Sequence, residues 1–247
     1  MAVRRQRNIY NPKDVEPFKL SRSKIEDFIK CPRCFYIDRR LGIGQPSMYP
    51  LNLNIAVDTL LKKEFDWYRE RGEAHPIMIE HDVQAVPFQH DDLDEWRENF
   101  KGIQHHHAPT NFVLTGAVDD IWVDPDGNLI VVDYKATSKT TDVGIDADWQ
   151  HSYKRQMEFY QWLLRRRGFP VSNQGYFVYA NGRTDRRAFD NKLEFDLTLH
   201  GYDGDDRWVE DALVAIRKCL HGKLPAPTEH CEYCQYREAT KEREKSF

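Results

Sequence analysis

Two aspartates, Asp119 and Asp133, lie on the two strands of a predicted β-hairpin. Its five-residue turn, 124–128, has the sequence Asp-Pro-Asp-Gly-Asn. Pairing Val123 with Leu129 across this turn places Asp119 directly opposite Asp133. Carboxylates in facing positions on two strands repel each other at a separation of roughly 5 Å, and a purely structural hairpin avoids that arrangement. A divalent cation between them removes the repulsion, so the spacing indicates a metal site.

Lys135 follows Asp133 by two residues and therefore projects from the same face of the sheet. Two carboxylates and a lysine on one face are typical of phosphoryl transfer with Mg²⁺ or Mn²⁺. In such a site the metal polarises the phosphate and generates hydroxide, while the lysine stabilises the developing charge or orients the attacking water. The alternative is that Asp133 and Lys135 form an ordinary solvated strand edge. The Asp-x-Lys pattern favours this alternative when it is considered without Asp119. Asp120 is expected to face away from Asp119 and to be structural.

These motifs, in this order along the chain, resemble those of the PD-(D/E)xK nuclease superfamily, and of its RecB-like branch in particular. The resemblance covers about residues 20–237 and rests on five segments: Leu20-Ser21-Arg22-Ser23, Cys31-Pro32, Gly116-Ala117-Val118-Asp119, Asp133-Tyr134-Lys135, and Gln156 with Tyr160 four residues later. It implies an α/β fold with a restriction-endonuclease-like core, in which helices flank a central mixed sheet. It also implies that Asp119 and Asp133 bind the metal and that Lys135 is the catalytic lysine.

The resemblance further implies that Gln156 and Tyr160 contribute to the site from the helix that follows the hairpin. Their spacing of four residues places both on one face of a helix predicted over 147–167. That face points at the site or at a DNA backbone in this interpretation. In the alternative interpretation the helix is amphipathic and Tyr160 belongs to the core.

The sequence departs from the family pattern at one position. Family members usually carry a histidine metal ligand on the helix before the hairpin, whereas Ala56-Val57 is followed here by Asp58. Asp58 would supply a harder oxygen ligand, which suits Mg²⁺ or Mn²⁺. The alternative is that the site has lost a ligand and is weakened. Glu64, further along the same helix, is a weaker candidate.

Four of the five cysteines form two Cys-x-x-Cys pairs, one near each end of the chain: Cys31, Cys34, Cys231 and Cys234. This spacing indicates a metal or cluster site in an intracellular protein, and only the fold can bring the two pairs together. Four thiolates suit either Zn²⁺ or an iron–sulfur cluster, and unliganded thiols are the remaining alternative. Cys219 is expected to be a core residue.

A likeness to iron–sulfur-containing AddB-type and CRISPR-adaptation nucleases implies a [4Fe–4S] cluster at the four cysteines, with Zn²⁺ as the alternative. Those proteins join one N-terminal cysteine to three C-terminal ones, whereas this chain has two and two. In either case the expected role is structural. The metal would join the N- and C-terminal segments and close a very long loop.

The elements that must position these residues follow from apolar periodicity and from turn residues. Helices are predicted from Ser23 to the first cysteine pair and over 52–71, 147–167 and 205–221, and strands over 112–123, 129–136, 175–180 and 193–199, with a strand-like piece at 76–79. We expect a flexible arm over 1–19, a single nuclease domain over 20–237 and a charged tail over 238–247.

Length and composition limit the function classes. The chain has 247 residues, 40% of them hydrophobic, and no apolar run long enough to span a bilayer, so we expect a cytoplasmic protein without a membrane partner. Its net charge of −4 gives no general support for nucleic-acid binding, so any DNA contact must come from local basic patches.

The expected function is that of a Mg²⁺- or Mn²⁺-dependent deoxyribonuclease. Its expected substrate is single-stranded DNA or DNA ends, in repair, recombination or defence. Because the chain has no helicase motif, a helicase or other nucleic-acid-processing partner would be a separate chain. The alternative is a weak or inactive nuclease-fold module that binds DNA or a partner protein.

Overall fold

The computed structural model describes residues 7–46, 51–141 and 143–246. In chain order, their elements are β1 (Phe18–Ser21), α1 (Arg22–Lys30), α2 (Pro32–Leu41), α3 (Asn52–Arg69), α4 (Pro76–Glu80), β2 (Val86–Pro87), α5 (Leu93–Arg97), β3 (Ile103–His107), β4 (Phe112–Gly116), β5 (Asp120–Val123), β6 (Leu129–Thr137), a 3-10 turn (Asp148–Gln150), α6 (His151–Arg166), β7 (Gln174–Gly182), β8 (Phe195–Asp203), α7 (Trp208–His221) and α8 (Glu232–Glu244). None of the described helices is long and apolar enough to cross a membrane.

These elements form two compact units. One contains the described residues within 1–48, 105–115 and 207–247, and the other contains those within 49–104 and 116–206. The first unit carries α1, α2, α7 and α8, and the second carries α3, α6 and most of the strands. The prediction of an arm, a single domain and a tail stays a prediction. Tyr10 of the predicted arm is buried, the predicted tail begins inside α8, and residues 1–6 and 247 lie outside the described residues.

A five-stranded mixed sheet with the order β2-β5-β6-β7-β8 forms the centre of the second unit. Strands β5 and β6 are antiparallel, β6 and β7 are parallel, and β7 and β8 are antiparallel. A parallel pair needs a crossover connection, and α6 supplies it between β6 and β7. This arrangement confirms the predicted α/β fold class with a mixed sheet flanked by helices.

The predicted hairpin register is confirmed for the length of β5. Val123 pairs with Leu129, and the ladder ends where Asp120 pairs with Val132. The prediction of one strand over 112–123 is wrong. Its first half is β4, which pairs in parallel with β1 in a three-stranded sheet, whereas β5 pairs with β6. Both halves are apolar, so hydrophobic periodicity alone does not show that the chain changes sheets.

The piece predicted to be strand-like at 76–79 is helical, because its start is set for a helix. Pro76 occupies the first turn of α4, where a missing backbone N–H costs nothing. The His75 ring caps the helix by accepting a hydrogen bond from the Ile77 backbone N–H at 3.1 Å. A short apolar run is ambiguous between strand and helix until such a cap is recognised.

Helix α3 packs on the sheet through one stripe of side chains. Its buried residues, Val57, Leu61, Phe65 and Arg69, recur every four positions and therefore share one face. Phe65 stacks on Trp122 of β5, with 5.6 Å between the ring centroids. Burial of each large apolar side chain in this stripe contributes roughly 1.5–3 kcal/mol. This packing fixes the neighbouring face of α3, which carries Asp58 and Lys62, beside the sheet.

A buried charge network lies at the end of this stripe, on the same face of β5 as Trp122. Asp120 is fully buried, and its carboxylate contacts the guanidinium groups of Arg69 and Arg97 and accepts a hydrogen bond from the Tyr134 hydroxyl at 2.7 Å. Burial by itself lowers the pKa of Arg97, but the charge of Asp120 together with the charge and hydrogen bond of Asp66 outweighs burial and raises the pKa above the ordinary value. The network joins α3, α5, β5 and β6.

Candidate active site and four-cysteine site

A cleft of about 440 Å³ opens beside β6 in the second unit. The polar side chains that line it come from α3, the start of β5, β6 and α6: Asn54, Asp58, Asp119, Lys135, Tyr153 and Gln156. Four separate elements therefore converge on one concave surface. Such convergence of polar groups in a cleft is typical of a catalytic or binding site.

Strand β6 supplies the first two groups of the site. Asp133 and Lys135 alternate with Tyr134 along the strand, so both project from the face opposite the Tyr134 ring. Asp133 is fully buried, and its carboxylate forms an ion pair with the Lys135 ammonium group. The Lys135 Nζ also lies 4.6 Å from the centre of the Tyr153 ring. The lysine thus bridges a buried carboxylate and an aromatic wall of the cleft.

Asp119 lies in a bend immediately before β5, one residue beyond the end of the ladder. Its Oδ2 accepts a hydrogen bond from the backbone N–H of Tyr134 at 3.0 Å. This bond fixes the Asp119 carboxylate against β6 at the position of Tyr134. The side chain keeps 22% of its surface exposed and faces the cleft.

Asp58 reaches the cleft from α3. Its Oδ2 accepts from the Lys62 ammonium group at 2.8 Å, a pair four residues apart on one helix face. The pKa of Asp58 is raised, chiefly because burial disfavours its charged form and also because the Asp119 charge lies nearby, against the lowering effect of Lys62. Glu64, the weaker sequence candidate, is bound instead to the His75 ring at 3.0 Å.

Lys62 is a site residue that the sequence analysis missed. Its Nζ lies 2.8 Å from Asp58 and 3.7 Å from Asp119, so one ammonium group serves two carboxylates. The signal was available, because Lys62 follows Asp58 by four residues on a predicted helix. Tyr153 was also missed, and for a different reason, since its helix face becomes significant only once the cleft is known.

Helix α6 supplies the last pair. The Gln156 side chain donates a hydrogen bond to the Tyr160 hydroxyl at 3.2 Å, so the two predicted residues do share one face. Gln156 lines the cleft, whereas Tyr160 is buried behind it. A Cβ on Gly116 would lie 2.5 Å from the Tyr160 ring, so this glycine makes room for the tyrosine. Tyr160 therefore orients Gln156 from the core.

The donor set of the cleft fits a hard divalent cation. Asp58 and Asp119, which line the cleft, and Asp133, which is buried beside Lys135, supply only carboxylate oxygens, which Mg²⁺ and Mn²⁺ prefer. Their oxygens do not yet converge. Among the described residues, only the four cysteines form a group of three or more ligand-type side chains whose donor atoms all lie within 4.8 Å of one another. In this conformation Lys62 and Lys135 supply the positive charge beside the three aspartates.

The fold brings the two cysteine pairs together in the first unit, although Cys34 and Cys231 are 197 positions apart in the chain. The sulfur atoms lie 3.7 Å apart for Cys31 and Cys234, 3.6 Å for Cys34 and Cys231, and 3.8 Å for Cys34 and Cys234. Cys31 precedes α2 and Cys231 precedes α8, so each pair is placed at a helix N-terminus. The predicted joining of the terminal segments by four cysteines is confirmed.

Hydrogen bonds set the charge of one of these thiols. Burial alone raises the pKa of Cys31, but hydrogen bonds from the Thr228 hydroxyl, the Cys34 backbone N–H and the Cys231 and Cys34 thiols together outweigh burial and lower it to about 6. Thiolates are the form that binds metal. Cys219 lies outside the group, and burial raises the pKa of its thiol.

Comparison with known proteins gives a match to a family model and matches to solved structures. A family model described as the PD-(D/E)XK nuclease superfamily matches residues 52–239. No curated protein sequence matches the chain. A solved structure described as "Crystal structure of SSO0001" is 14% identical, with 92% of this chain and 87% of that chain covered and a TM-score of 0.41.

Proposed function

Because the chain belongs to the PD-(D/E)XK nuclease superfamily, we propose that it is a Mg²⁺- or Mn²⁺-dependent deoxyribonuclease of the RecB-like branch. The reaction is hydrolysis of a phosphodiester bond in the cleft beside β6. One observation carries this proposal: Asp119 and Lys135 line one cleft with Asp58 and Gln156 from two helices, and the buried Asp133 is ion-paired with Lys135.

The proposed roles follow from the position of each group. Asp119 and Asp133 hold the cation with Asp58 as the third ligand, and the bound cation supplies a Lewis acid for the phosphate and a lowered pKa for the attacking water. Lys135 orients that water or stabilises charge on the phosphate. Gln156, fixed by Tyr160, positions the DNA backbone or the water from α6.

We propose single-stranded DNA or DNA ends as the substrate. Support comes from aromatic rings close to the cleft. Trp149 is 54% exposed and packs edge-on against Tyr153, with the Lys139 ammonium group 5.1 Å from its ring centre. Exposed rings beside lysines suit unpaired bases, because any base can stack on the ring while the lysine approaches a phosphate.

The setting of the activity is also a proposal. We propose a cytoplasmic protein in DNA repair, recombination or defence, coupled to a helicase or other nucleic-acid-processing protein that is a separate chain. The four cysteines are proposed to hold a structural metal centre. Support comes from their position, since they join chain segments at helix N-termini in the first unit and the cleft residues all belong to the second.

The testing experiment is a cleavage assay on end-labelled single- and double-stranded DNA with Mg²⁺ or with Mn²⁺. The wild type is compared with Asp133→Asn, which keeps the shape of the buried side chain, and with Lys135→Met. Asp91→Ala, an exposed aspartate outside the cleft, is the matched control. Metal-dependent cutting that is lost in both cleft variants and kept in the control is expected. A folded wild type that cuts neither DNA in either metal would refute the proposal.

A second candidate function is a nuclease-fold module that binds DNA or a partner protein without cutting. The Lys62 ammonium group favours it, because it occupies the space between Asp58 and Asp119 where the first function requires a cation. Calorimetric titration with Mn²⁺ separates the two candidates before any cleavage is seen. Binding that is lost in Asp133→Asn supports the enzyme, and unchanged binding supports the module.

A further inference from the structure

The spacing of the four cysteine sulfurs matches a single metal ion. Three sulfur–sulfur distances are 3.6, 3.7 and 3.8 Å, and all four sulfur atoms lie within 4.8 Å of one another. A tetrahedral zinc site with Zn–S bonds of about 2.3 Å has sulfur–sulfur edges of about 3.8 Å. The cage therefore already has the dimensions of one four-coordinate ion.

The same spacing does not fit a [4Fe–4S] cluster. In that cluster each thiolate binds a different iron atom, so the four sulfurs point outwards from a core of eight atoms and lie much further apart than ligands of one ion. Cys31 and Cys234 are both buried, and their sulfurs lie 3.7 Å apart. Insertion of a cluster would require α2 and α8 to separate.

The arrangement of the ligands also favours one ion. Each Cys-x-x-Cys pair turns into a helix, and the Cys34 backbone N–H points at the Cys31 sulfur at 3.5 Å. Each pair supplies two of the four ligands. The Cys-x-x-Cys spacing of both pairs is typical of closed structural zinc sites. With four protein ligands, no coordination position remains open for a substrate.

Helix α8 shows why a metal is needed there. Cys234 is the only buried residue among the described residues of α8, and Tyr233 and Tyr236 are exposed. A helix of 13 residues is marginal without tertiary packing, and this one has almost no apolar face to pack. Thiolate–metal bonds supply the attachment that hydrophobic burial does not.

We propose that Cys31, Cys34, Cys231 and Cys234 bind one tetrahedral Zn²⁺ ion and no iron–sulfur cluster, and that this ion holds α8 against the start of α2. The inference rests on the proposed metal centre at these cysteines and is independent of DNA cleavage. It replaces the [4Fe–4S] cluster that the family resemblance implied with a single zinc ion.

The decisive measurement is the metal and acid-labile sulfide content of the full chain, purified anaerobically without added metal. About one zinc per chain, no sulfide and a colourless protein are expected. Cobalt exchanged into the site is expected to give the strong visible absorption of a tetrahedral thiolate complex. Four irons with sulfide, or one iron without sulfide, would overturn the zinc assignment. No metal and five freely reactive thiols would overturn the metal centre as well.

Variants test the assignment to these residues. Cys231→Ser, at the less buried position of its pair, is expected to lower zinc content severalfold, whereas Cys219→Ser, outside the cage, keeps one zinc. Removal of zinc from the wild type by a chelator is expected to abolish hydrogen-exchange protection in α8 and to leave that of α6 unchanged. Equal zinc in both variants, or an α8 that stays protected without metal, would refute the proposal.

Discussion

Asp119 and Asp120 are neighbours in the chain, yet their surroundings are opposite. Asp120 is fully buried. Its carboxylate is bound by the guanidinium groups of Arg69 and Arg97 and by the Tyr134 hydroxyl. Asp119 keeps 22% of its side chain exposed and has two contacts, the Tyr134 backbone N–H and the Lys62 ammonium group.

This comparison distinguishes a carboxylate that stabilises the fold from one that is available to bind a ligand. Asp120 has bound its full set of partners, so it stabilises the hairpin and has no capacity to bind a ligand. Asp119 is oriented by one backbone hydrogen bond and keeps oxygen lone pairs directed to the cleft. A single step from the first residue of β5 back to the bend before it moves from the network that holds the site to the site itself.

The largest expected effect is on stability, from Asp120→Asn. The change leaves the buried guanidinium groups of Arg69 and Arg97 without their main counter-charge, and breaking a buried pair of this kind costs about 3–5 kcal/mol. Urea denaturation measures the loss, and cleavage per folded molecule is expected to stay within a few-fold of wild type. A free energy of unfolding within about 1 kcal/mol of wild type would contradict the structural role.

The matching change one residue earlier, Asp119→Asn, is expected to act on rate instead. Loss of a metal ligand removes several kcal/mol of transition-state stabilisation, which corresponds to a roughly 100- to 1000-fold slower cleavage. The free energy of unfolding is expected to change by less than about 1 kcal/mol, because the side chain is partly exposed. If Asp119→Asn unfolds the protein while Asp120→Asn stops cleavage, the comparison is reversed.

A third expected effect sharpens the contrast from the side of α6. The added methyl group of Gly116→Ala lies 2.5 Å from the Tyr160 ring and must displace it, at a cost of about 1–3 kcal/mol. The displacement also removes the support of Gln156. Gly144→Ala is the control, because its added methyl group meets nothing within 4 Å. Equal unfolding midpoints for the two variants would show that Tyr160 adapts without strain.

The smallest expected effect is a pH dependence of stability that arises from Tyr134. This residue donates a backbone hydrogen bond to Asp119 and a hydroxyl hydrogen bond to Asp120. Burial, and then the charge of Asp120, raise its pKa well above 10, so above pH 10 the unfolded chain loses a proton that the folded chain keeps. Stability from this group is therefore complete below pH 10 and is lost above it, by about 1.4 kcal/mol per pH unit. Tyr134→Phe is expected to flatten that decline in urea titrations between pH 9 and 11, and an unchanged slope would contradict it.

The hairpin shows how far sequence reasoning reaches. The turn length set the register of β5 on β6, and alternation then placed Asp133 and Lys135 on one face. Both inferences depend only on local geometry. The end of the ladder at Asp120 was not predictable, because it depends on β4 leaving for another sheet to pair with β1.

Other features depended on distant partners and were not visible in the sequence. The contact of Lys62 with Asp119 depends on the packing of α3, although the spacing of Lys62 from Asp58 was visible, and α8 lacks the apolar period by which helices are recognised. The cysteine pairs were visible, but their sulfur spacing was not. A family resemblance implied a cluster where the geometry favours one ion.

The separation of the two cysteine pairs has a consequence for biosynthesis. At a translation rate of about 5–20 residues per second, Cys231, which follows Cys34 by 197 positions, emerges from the ribosome roughly 10–40 s after it. The residues of the second unit, 49–104 and 116–206, all emerge before the second cysteine pair. The nascent chain thus carries the cleft residues while Cys31 and Cys34 are still reduced thiols open to oxidants, and the first unit is completed only after translation has reached α8.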